Sequence, residues 1–368
     1  MGNHAAAILC GLSDLPRPGL GPVVLCRHDE AEKAGRPRPA AALRAKELTL
    51  PRSIFWNHGL RLALSDVDET VADLYCAAEA GMLDALTRLL DQGISLVLIT
   101  GQSVKNVEQR VIVSLPPQLR QRIAVGACSG AELWGYSATG ERNTTAFYAA
   151  DSALTAEQRR AWRAVTQQLI AEFRLTPFPP MPIDDFRLQH GEVPWHVLLD
   201  DRGPQITIEF PTGYALSNAA REQVRSRLGG NFEGQDLRIP VLQRAQLLLE
   251  AHSVPVTPRI AGMFALDLAI AGVDKARAVE EALTPTVLRS LGLGPNMPGA
   301  GEIEVWGDRF SQSSGTDWLM CKPIDRRVRA LSFRNEDPAE FPKGYNIQLW
   351  DGARRLHMGL LEYLESRD

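Results

Sequence analysis

Two carboxylates, Asp66 and Asp68, stand two positions apart at the end of the short apolar run Leu62-Ala63-Leu64-Ser65. Side chains alternate along an extended strand, so both face one side, and a turn there aims both into one cleft. Such a pair suits phosphoryl chemistry, in which one carboxylate attacks while the other moves a proton. The pair alone has an ordinary reading, because aspartates are common where a strand runs into a loop. Three later segments give it meaning.

The run Gly93 to Ser103 reads as a strand of branched and leucine residues ending in Thr100-Gly101. A hydroxyl and backbone N–H groups there can hold a phosphoryl oxygen, and a helix expected from about Val104 to Val113 would add the positive end of its dipole. Phe264 to Ile270 reads as another strand, followed by a glycine turn and Lys275 at the opening of a helix to Leu283. A lysine there can balance clustered negative charge. Glu304-Val305-Trp306-Gly307-Asp308, with Asp317 beyond a polar loop, adds two more carboxylates. Hard divalent cations such as Mg²⁺ take oxygen ligands of this kind. All four segments sit at the carboxyl ends of expected strands, where open α/β sheets place their ligands.

Asp66-Val67-Asp68-Glu69-Thr70, Thr100-Gly101, Lys275 and Gly307-Asp308 with Asp317 resemble the four motifs of the haloacid dehalogenase (HAD) superfamily, in the same order. The resemblance runs from about Leu60 to about Met320. Gly272-Val273-Asp274-Lys275 is similar to the lysine motif of members with a large cap, including sugar phosphatases and the eukaryotic-type phosphomannomutases. The long glycine-containing loop from Asp308 to Asp317 is similar to that of the mutases. The resemblance implies a Rossmann-like parallel α/β core carrying an inserted α+β cap. It also implies roles: Asp66 attacks phosphorus to give an aspartyl-phosphate, and Asp68 protonates the leaving oxygen and then activates water. Thr100 and Gly101 bind the transferred group, Lys275 steadies it with Asp66, and Asp66, Asp68, Asp308 and Asp317 form the Mg²⁺ site. An acid two residues after the nucleophile argues for chemistry at phosphorus rather than carbon. Three positions depart from the usual pattern: Glu69 stands where glycine is common, Gln102 where arginine or asparagine is, and Thr316 where asparagine often precedes the last aspartate.

At 368 residues, 45% hydrophobic and 23% charged, the chain can bury a sizeable core and is long enough for two domains. A formal charge of −4 offers no broad attraction to nucleic acid or acidic membranes. No apolar stretch reaches the roughly 18 residues of a membrane span, and the first ten residues lack the basic start of a secretion signal. The five cysteines are dispersed without a CxxC pair and read as reduced, cytoplasmic thiols. The seven histidines form no metal-ligand spacing; His190 and His196 read as packing or surface residues.

Residues 1–58 read as an amino-terminal extension, partly flexible in its proline- and alanine-rich run; an accessory element packed on the core is the default role, with dimer contacts (a homodimer) or cap closure as the others. Residues 59–141 and 260–368 are expected to form the catalytic core, and 142–259 the cap. Ala77 to Leu90 carries leucines at helical spacing with Gly93 as a stop. In the cap, Thr155 with Gln158 predicts a capping box for a helix to about Phe173. Trp195 to Leu199 and Gln205 to Phe210 flank a hairpin turn, and Ser217 to Leu228 reads as a helix. Arg187, Arg202 and Arg238 are cap cations able to read hydroxyls or a second phosphate. Tyr345 to Gly352 and a final helix from about Ala353 to Ser366 complete the core.

The expected activity is a Mg²⁺-dependent phosphatase acting on a small phosphorylated metabolite, a sugar or polyol phosphate. A phosphomutase is the first alternative and a catalytically inactive HAD-like binding protein the second.

Overall fold

A computed structural model of the chain describes residues 53–367 apart from 231 and 314. The expectation of an extension over residues 1–58 therefore lies almost wholly outside the described residues. In chain order, strand β1 (Leu62–Ser65) is followed by helix α1 (Ala80–Asp91), β2 (Ser95–Ile99), α2 (Val104–Arg110), β3 (Ile123–Ala127), β4 (Glu132–Gly135) and β5 (Tyr148–Ala149). Next come α3 (Ala156–Glu172), β6 (Thr176–Phe178), α4 (Ile183–His190), β7 (His196–Asp201), β8 (Gln205–Glu209), α5 (Asn218–Leu228), α6 (Arg238–Ala251), β9 (Val256–Ala261) and β10 (Ala265–Ile270). The chain closes with α7 (Lys275–Ala282), α8 (Pro285–Ser290), β11 (Ile303–Gly307), β12 (Arg329–Ser332), β13 (Asn346–Leu349) and α9 (Leu356–Glu365).

These strands build an α/β fold with two sheets. The larger has the order β13-β12-β11-β1-β2-β3-β4-β5, parallel from β13 through β3 with β4 and β5 antiparallel at one edge. Every residue of β1, β2, β3 and β11 is buried, as a parallel sheet covered on both faces requires. Alternation along the strands feeds two cores. Ala63, Leu96, Leu98 and Val125 pack with Leu86 and Leu89 of α1 and Leu360 of α9. Leu62, Leu64, Val97 and Ile99 pack with Val279 of α7 and Leu288 of α8. Each such side chain contributes roughly 1.5–3 kcal/mol by leaving water. The chain leaves β1 toward β2 and β3 on one side and later fills β11 to β13 on the other, so the strand order reverses at β1. A crevice opens at such a reversal beyond the strand ends.

The second sheet has the order β6-β7-β8-β10-β9, with β6 and β7 parallel and the remaining pairs antiparallel. Its apolar face, with Ile206, Ile208, Leu266 and Leu268, lies in the same hydrophobic cluster as Trp162 and Leu169 of α3 and Val241 and Ala245 of α6. The predicted capping box is formed: the Thr155 hydroxyl accepts from the Gln158 amide at 3.1 Å and the Gln158 side chain accepts from the Thr155 amide at 2.9 Å. His190 and His196 pack against the Phe178 ring.

Three local expectations are corrected. The departure at 142 and the return at 260 each fall later, because β5 still pairs with β4 in the large sheet while β9 and β10 pair in the small one. The strand before Lys275 is therefore β10 of the second sheet, and Lys275 does not follow a strand of the large sheet. The helix expected to run to Val113 stops at Arg110, where Val111 leaves the helical region (φ −133°, ψ −59°) before a short 3₁₀ turn. Among the described residues, no helix is long and apolar enough to cross a membrane.

Gly130, in the turn after β3, fixes how closely that turn meets α7. Its φ is +95°, and a Cβ there would lie 2.2 Å from the Asp274 carbonyl at the start of the helix. Gly130→Ala is expected to lower unfolding free energy by about 2 kcal/mol or more, from overpacking and left-handed strain together. A drop in the urea midpoint with unchanged slope would check it; an unchanged midpoint would contradict the close approach.

Candidate active site

Three neighbouring strands bring the sequence-predicted groups together. β1 is flanked by β11 and β2, with Ser65 opposite Trp306 and Leu98. Asp66, Thr100 and Asp308 therefore emerge beyond one set of parallel strand ends, and the Asp66 amide still donates to the Trp306 carbonyl at 2.9 Å. Lys275 arrives from a different direction, as the first residue of α7, whose N-cap Asp274 accepts from the Ala276 amide. Its ammonium donates to Asp66 Oδ1 and to Asp317 Oδ1, each at 2.6 Å. The other oxygen of Asp317 accepts from the Asp308 and Arg309 amides, both at 2.9 Å. Only glycine fits at 307, since a Cβ would stand 2.5 Å from that Asp317 oxygen.

Asp66, Asp308 and Asp317 are all buried, and each offers a carboxylate oxygen such that the three lie within 4.8 Å of one another. Burial and mutual repulsion push Asp66 well above the ordinary aspartate range, Lys275 pulling only partly the other way. Burial first, then Asp317, raises Asp308 to about 7. Burial alone would lower Lys275, but the carboxylates of Asp317 and Asp66 outweigh it and the net direction is up. The ammonium thus stays charged among carboxylates that crowd one another. A trio of hard oxygen donors with surplus negative charge fits a divalent cation such as Mg²⁺.

The side chain of Asp68 lies outside that trio. Its Oδ1 accepts from Arg110 at 2.6 Å and its Oδ2 faces the Thr100 hydroxyl at 3.4 Å. Thr100 is fully buried, and its Oγ1 also accepts from the Gln102 amide at 3.1 Å. The Gly101 carbonyl accepts from Arg202 at 2.7 Å and from Gln205 at 3.4 Å, so the second sheet reaches the site through this loop. Arg187 instead donates to the Pro211 carbonyl, and Arg238 is taken up by Asp236.

Glu69 adopts φ +61°, the conformation that favours glycine. Its carboxylate pairs with Arg334, which also donates to Asp308 Oδ2 at 2.9 Å, while Arg309 lies 3.7 Å from Glu69 and 3.6 Å from Asp308. Arg110, Arg309 and Arg334 were missed in the sequence, where nothing in their neighbourhoods separates them from solvated arginines.

The face of the second sheet toward this site is polar yet buried. Thr207 donates to Asp267 at 2.8 Å, Gln205 to Thr207 at 3.0 Å, and Arg202 to Asp200 at 2.7 Å. Glu209 accepts from the Tyr75 hydroxyl, which rises from the loop after the first motif, at 3.2 Å. Gln205 Oε1 is buried with no hydrogen-bond partner among the described residues.

No protein-family model matches the chain, and no curated protein matches its sequence. Among solved structures, it is similar to a haloacid dehalogenase-like hydrolase from Bacteroides thetaiotaomicron, at 14% identity, covering 84% of this chain and 100% of that one, with a TM-score of 0.50. It is more loosely similar to a phosphatase of the haloalkanoate enzyme superfamily from the same organism (15% identity, 87% and 99% coverage, TM-score 0.44). The sucrose-phosphatase of Synechocystis, solved with sucrose and phosphate, is comparably distant (15% identity, 83% and 96% coverage, TM-score 0.44). The first likeness is one of fold: the architecture is that of the haloacid dehalogenase-like hydrolases, as the four motifs led one to expect.

Glu209 gives the site a pH signature. Burial raises its carboxyl from 4.5 to about 6, with Arg202 and the Tyr75 hydrogen bond opposing. The folded state then holds a proton that the unfolded state has lost, so stability falls as pH rises from about 4.5 to about 6. The loss is on the order of 2 kcal/mol. Glu209→Gln should flatten that part of the stability curve, measured by urea unfolding of both proteins at a series of pH values. A slope unchanged by the substitution would assign it to other groups.

Proposed function

We propose that the protein is a Mg²⁺-dependent phosphatase of the haloacid dehalogenase superfamily that hydrolyses a small phosphorylated metabolite, a sugar or polyol phosphate, through an aspartyl-phosphate on Asp66. The observation that carries this reading is the Lys275 bridge between Asp66 and Asp317, with Asp308 completing a trio of oxygens within 4.8 Å. Asp66, Asp308 and Asp317 would hold the cation. Bound there, it would neutralise charge on the phosphoryl oxygens.

In the first step a carboxylate oxygen of Asp66 forms a bond to phosphorus as the ester P–O bond breaks, and Asp68 gives its proton to the departing oxygen. In the second, water attacks phosphorus, Asp68 takes the proton back, and the bond to Asp66 breaks to release phosphate. Thr100 and the Gly101 turn hold the group being transferred, while Lys275 keeps Asp66 in place and offsets charge that builds on the oxygens. The buried polar groups Thr207, Glu209 and Asp267, with half-buried Asp200 beside them, support a hydroxyl-rich substrate. Buried polar groups cost stability unless they are matched by partners, and hydroxyls both donate to carboxylates and accept from Arg202.

The test is phosphate release from a panel of sugar, polyol and nucleoside monophosphates with Mg²⁺. Asp66→Asn is expected to lower turnover by roughly 10³-fold or more, since it removes the attacking group itself, and EDTA to abolish it with recovery on adding Mg²⁺. Release that survives Asp66→Asn would overturn the reading. Silence without a bisphosphate activator, followed by isomerisation with one, would favour the phosphomutase.

A further inference from the structure

The two aspartates of the first motif face different surroundings, and the second is held by a residue outside every motif. Arg110, the last residue of α2, is only 6% exposed. Its fork is fully committed. Nε donates to the Cys76 carbonyl at 2.6 Å, one terminal nitrogen to the Asp73 carbonyl at 2.9 Å, and the other to Asp68 Oδ1 at 2.6 Å and to Asn106 Oδ1 at 3.2 Å. We infer that Arg110 is a positioning residue for proton transfer: it fixes one oxygen of Asp68 so that the other is presented beside Thr100. This rests on the reading of Asp68 as the acid given above.

A lone carboxylate rotates about its last bond and offers either oxygen in many directions. Arg110 removes that freedom. With Oδ1 held, Oδ2 is left 3.4 Å from the Thr100 hydroxyl, the group proposed to bind the transferred phosphoryl. On the reading of Asp68 as the acid, Oδ2 is the oxygen that carries the proton. The same guanidinium ties down the loop from Asp73 to Cys76, whose Tyr75 reaches Glu209 on the second sheet. Orienting a proton carrier through a third, non-reacting group is how acid and base catalysts are commonly held in geometry. Arg110 is itself buried, and its effect on the proton passes through Asp68.

The experiment compares kcat/KM for benzyl phosphate, whose alkoxide must be protonated as it leaves, with that for 4-nitrophenyl phosphate, whose phenoxide leaves without a proton. The ratio of the two constants does not depend on how much of a variant folds. Asp68→Asn should lower the benzyl-to-nitrophenyl ratio by about 10²-fold, the usual size of a general-acid contribution. Arg110→Met should lower it by at least about 10-fold, a part of that contribution. Arg110→Lys, which keeps charge but not the fork, should fall between wild type and Arg110→Met, and the double variant should fall no further than Asp68→Asn. A ratio unchanged in Arg110→Met while Asp68→Asn shifts it would make Arg110 a purely structural support and overturn the inference. An unchanged ratio in Asp68→Asn would instead refute the acid assignment on which it rests, and no turnover by the wild type of either ester or of any member of the monophosphate panel would refute the phosphatase reading itself.

Discussion

The site is organised around a single ammonium. Lys275 is buried and bonded at 2.6 Å to two aspartates that come from opposite ends of the core sequence, Asp66 after β1 and Asp317 after the loop that follows β11. Removing a partner from a buried charge pair commonly costs about 3–5 kcal/mol, because the remaining charge is left dry. The lysine therefore links fold to chemistry. Its helix must begin where it does, which is why the turn at Gly130 presses against Asp274 and why Gly307 yields its Cβ space to Asp317. Neither glycine carries a side chain of its own into the site, yet each sets where a carboxylate or its counter-charge can stand.

Around that ammonium the charges are sorted into two poles. Asp66, Asp308 and Asp317 gather on the side of Lys275 and form the oxygen trio. Asp68 turns to Arg110 and Thr100, on the side where Arg202, Gln205 and Tyr75 connect to the second sheet. Two carboxylates two residues apart are thus held by separate partners. Glu69 adds a third element. A non-glycine residue in the left-handed region costs on the order of 1–2 kcal/mol, and here it delivers a carboxylate to Arg334, which in turn grips Asp308. Strain of this kind concentrates at functional sites.

Much of this was legible because local chemistry and local pattern coincide at strand ends. A branched run ending in Asp-x-Asp or Thr-Gly announces both the strand and the side chains beyond it, and Thr155 with Gln158 announces its helix. What sequence order hides is pairing across distance. The apolar alternation of Ala265 to Ile270 reads the same in either sheet, and only its bonding to β8 and β9 assigns it to the second one. Arg110 and Arg334 meet their carboxylates 42 and 265 positions away, so neither arginine carries a local mark. The alternation Gln205-Ile206-Thr207-Ile208-Glu209 is visible too, but polar positions in a strand usually mean solvent. Here they are buried.

That burial separates the roles of the two sheets. In the large sheet the central strands β1, β2, β3 and β11 are buried along their whole length, and the candidate site residues project past their ends, so the scaffold can be rigid while a few loop residues form the site. In the second sheet one face is apolar and packs on α3 and α6, whereas the other keeps Asp267, Glu209, Thr207 and Gln205 out of water. A sheet selected only for stability would not hold such a face dry, since each desolvated polar group must be matched or it costs free energy. The internal matches are incomplete: burial raises Asp267 and Glu209 above their ordinary ranges even with Arg259 and Arg202 nearby, and Gln205 Oε1 has no partner among the described residues. Under the proposed function, that incompletely matched face is where a hydroxyl-rich substrate would supply further partners.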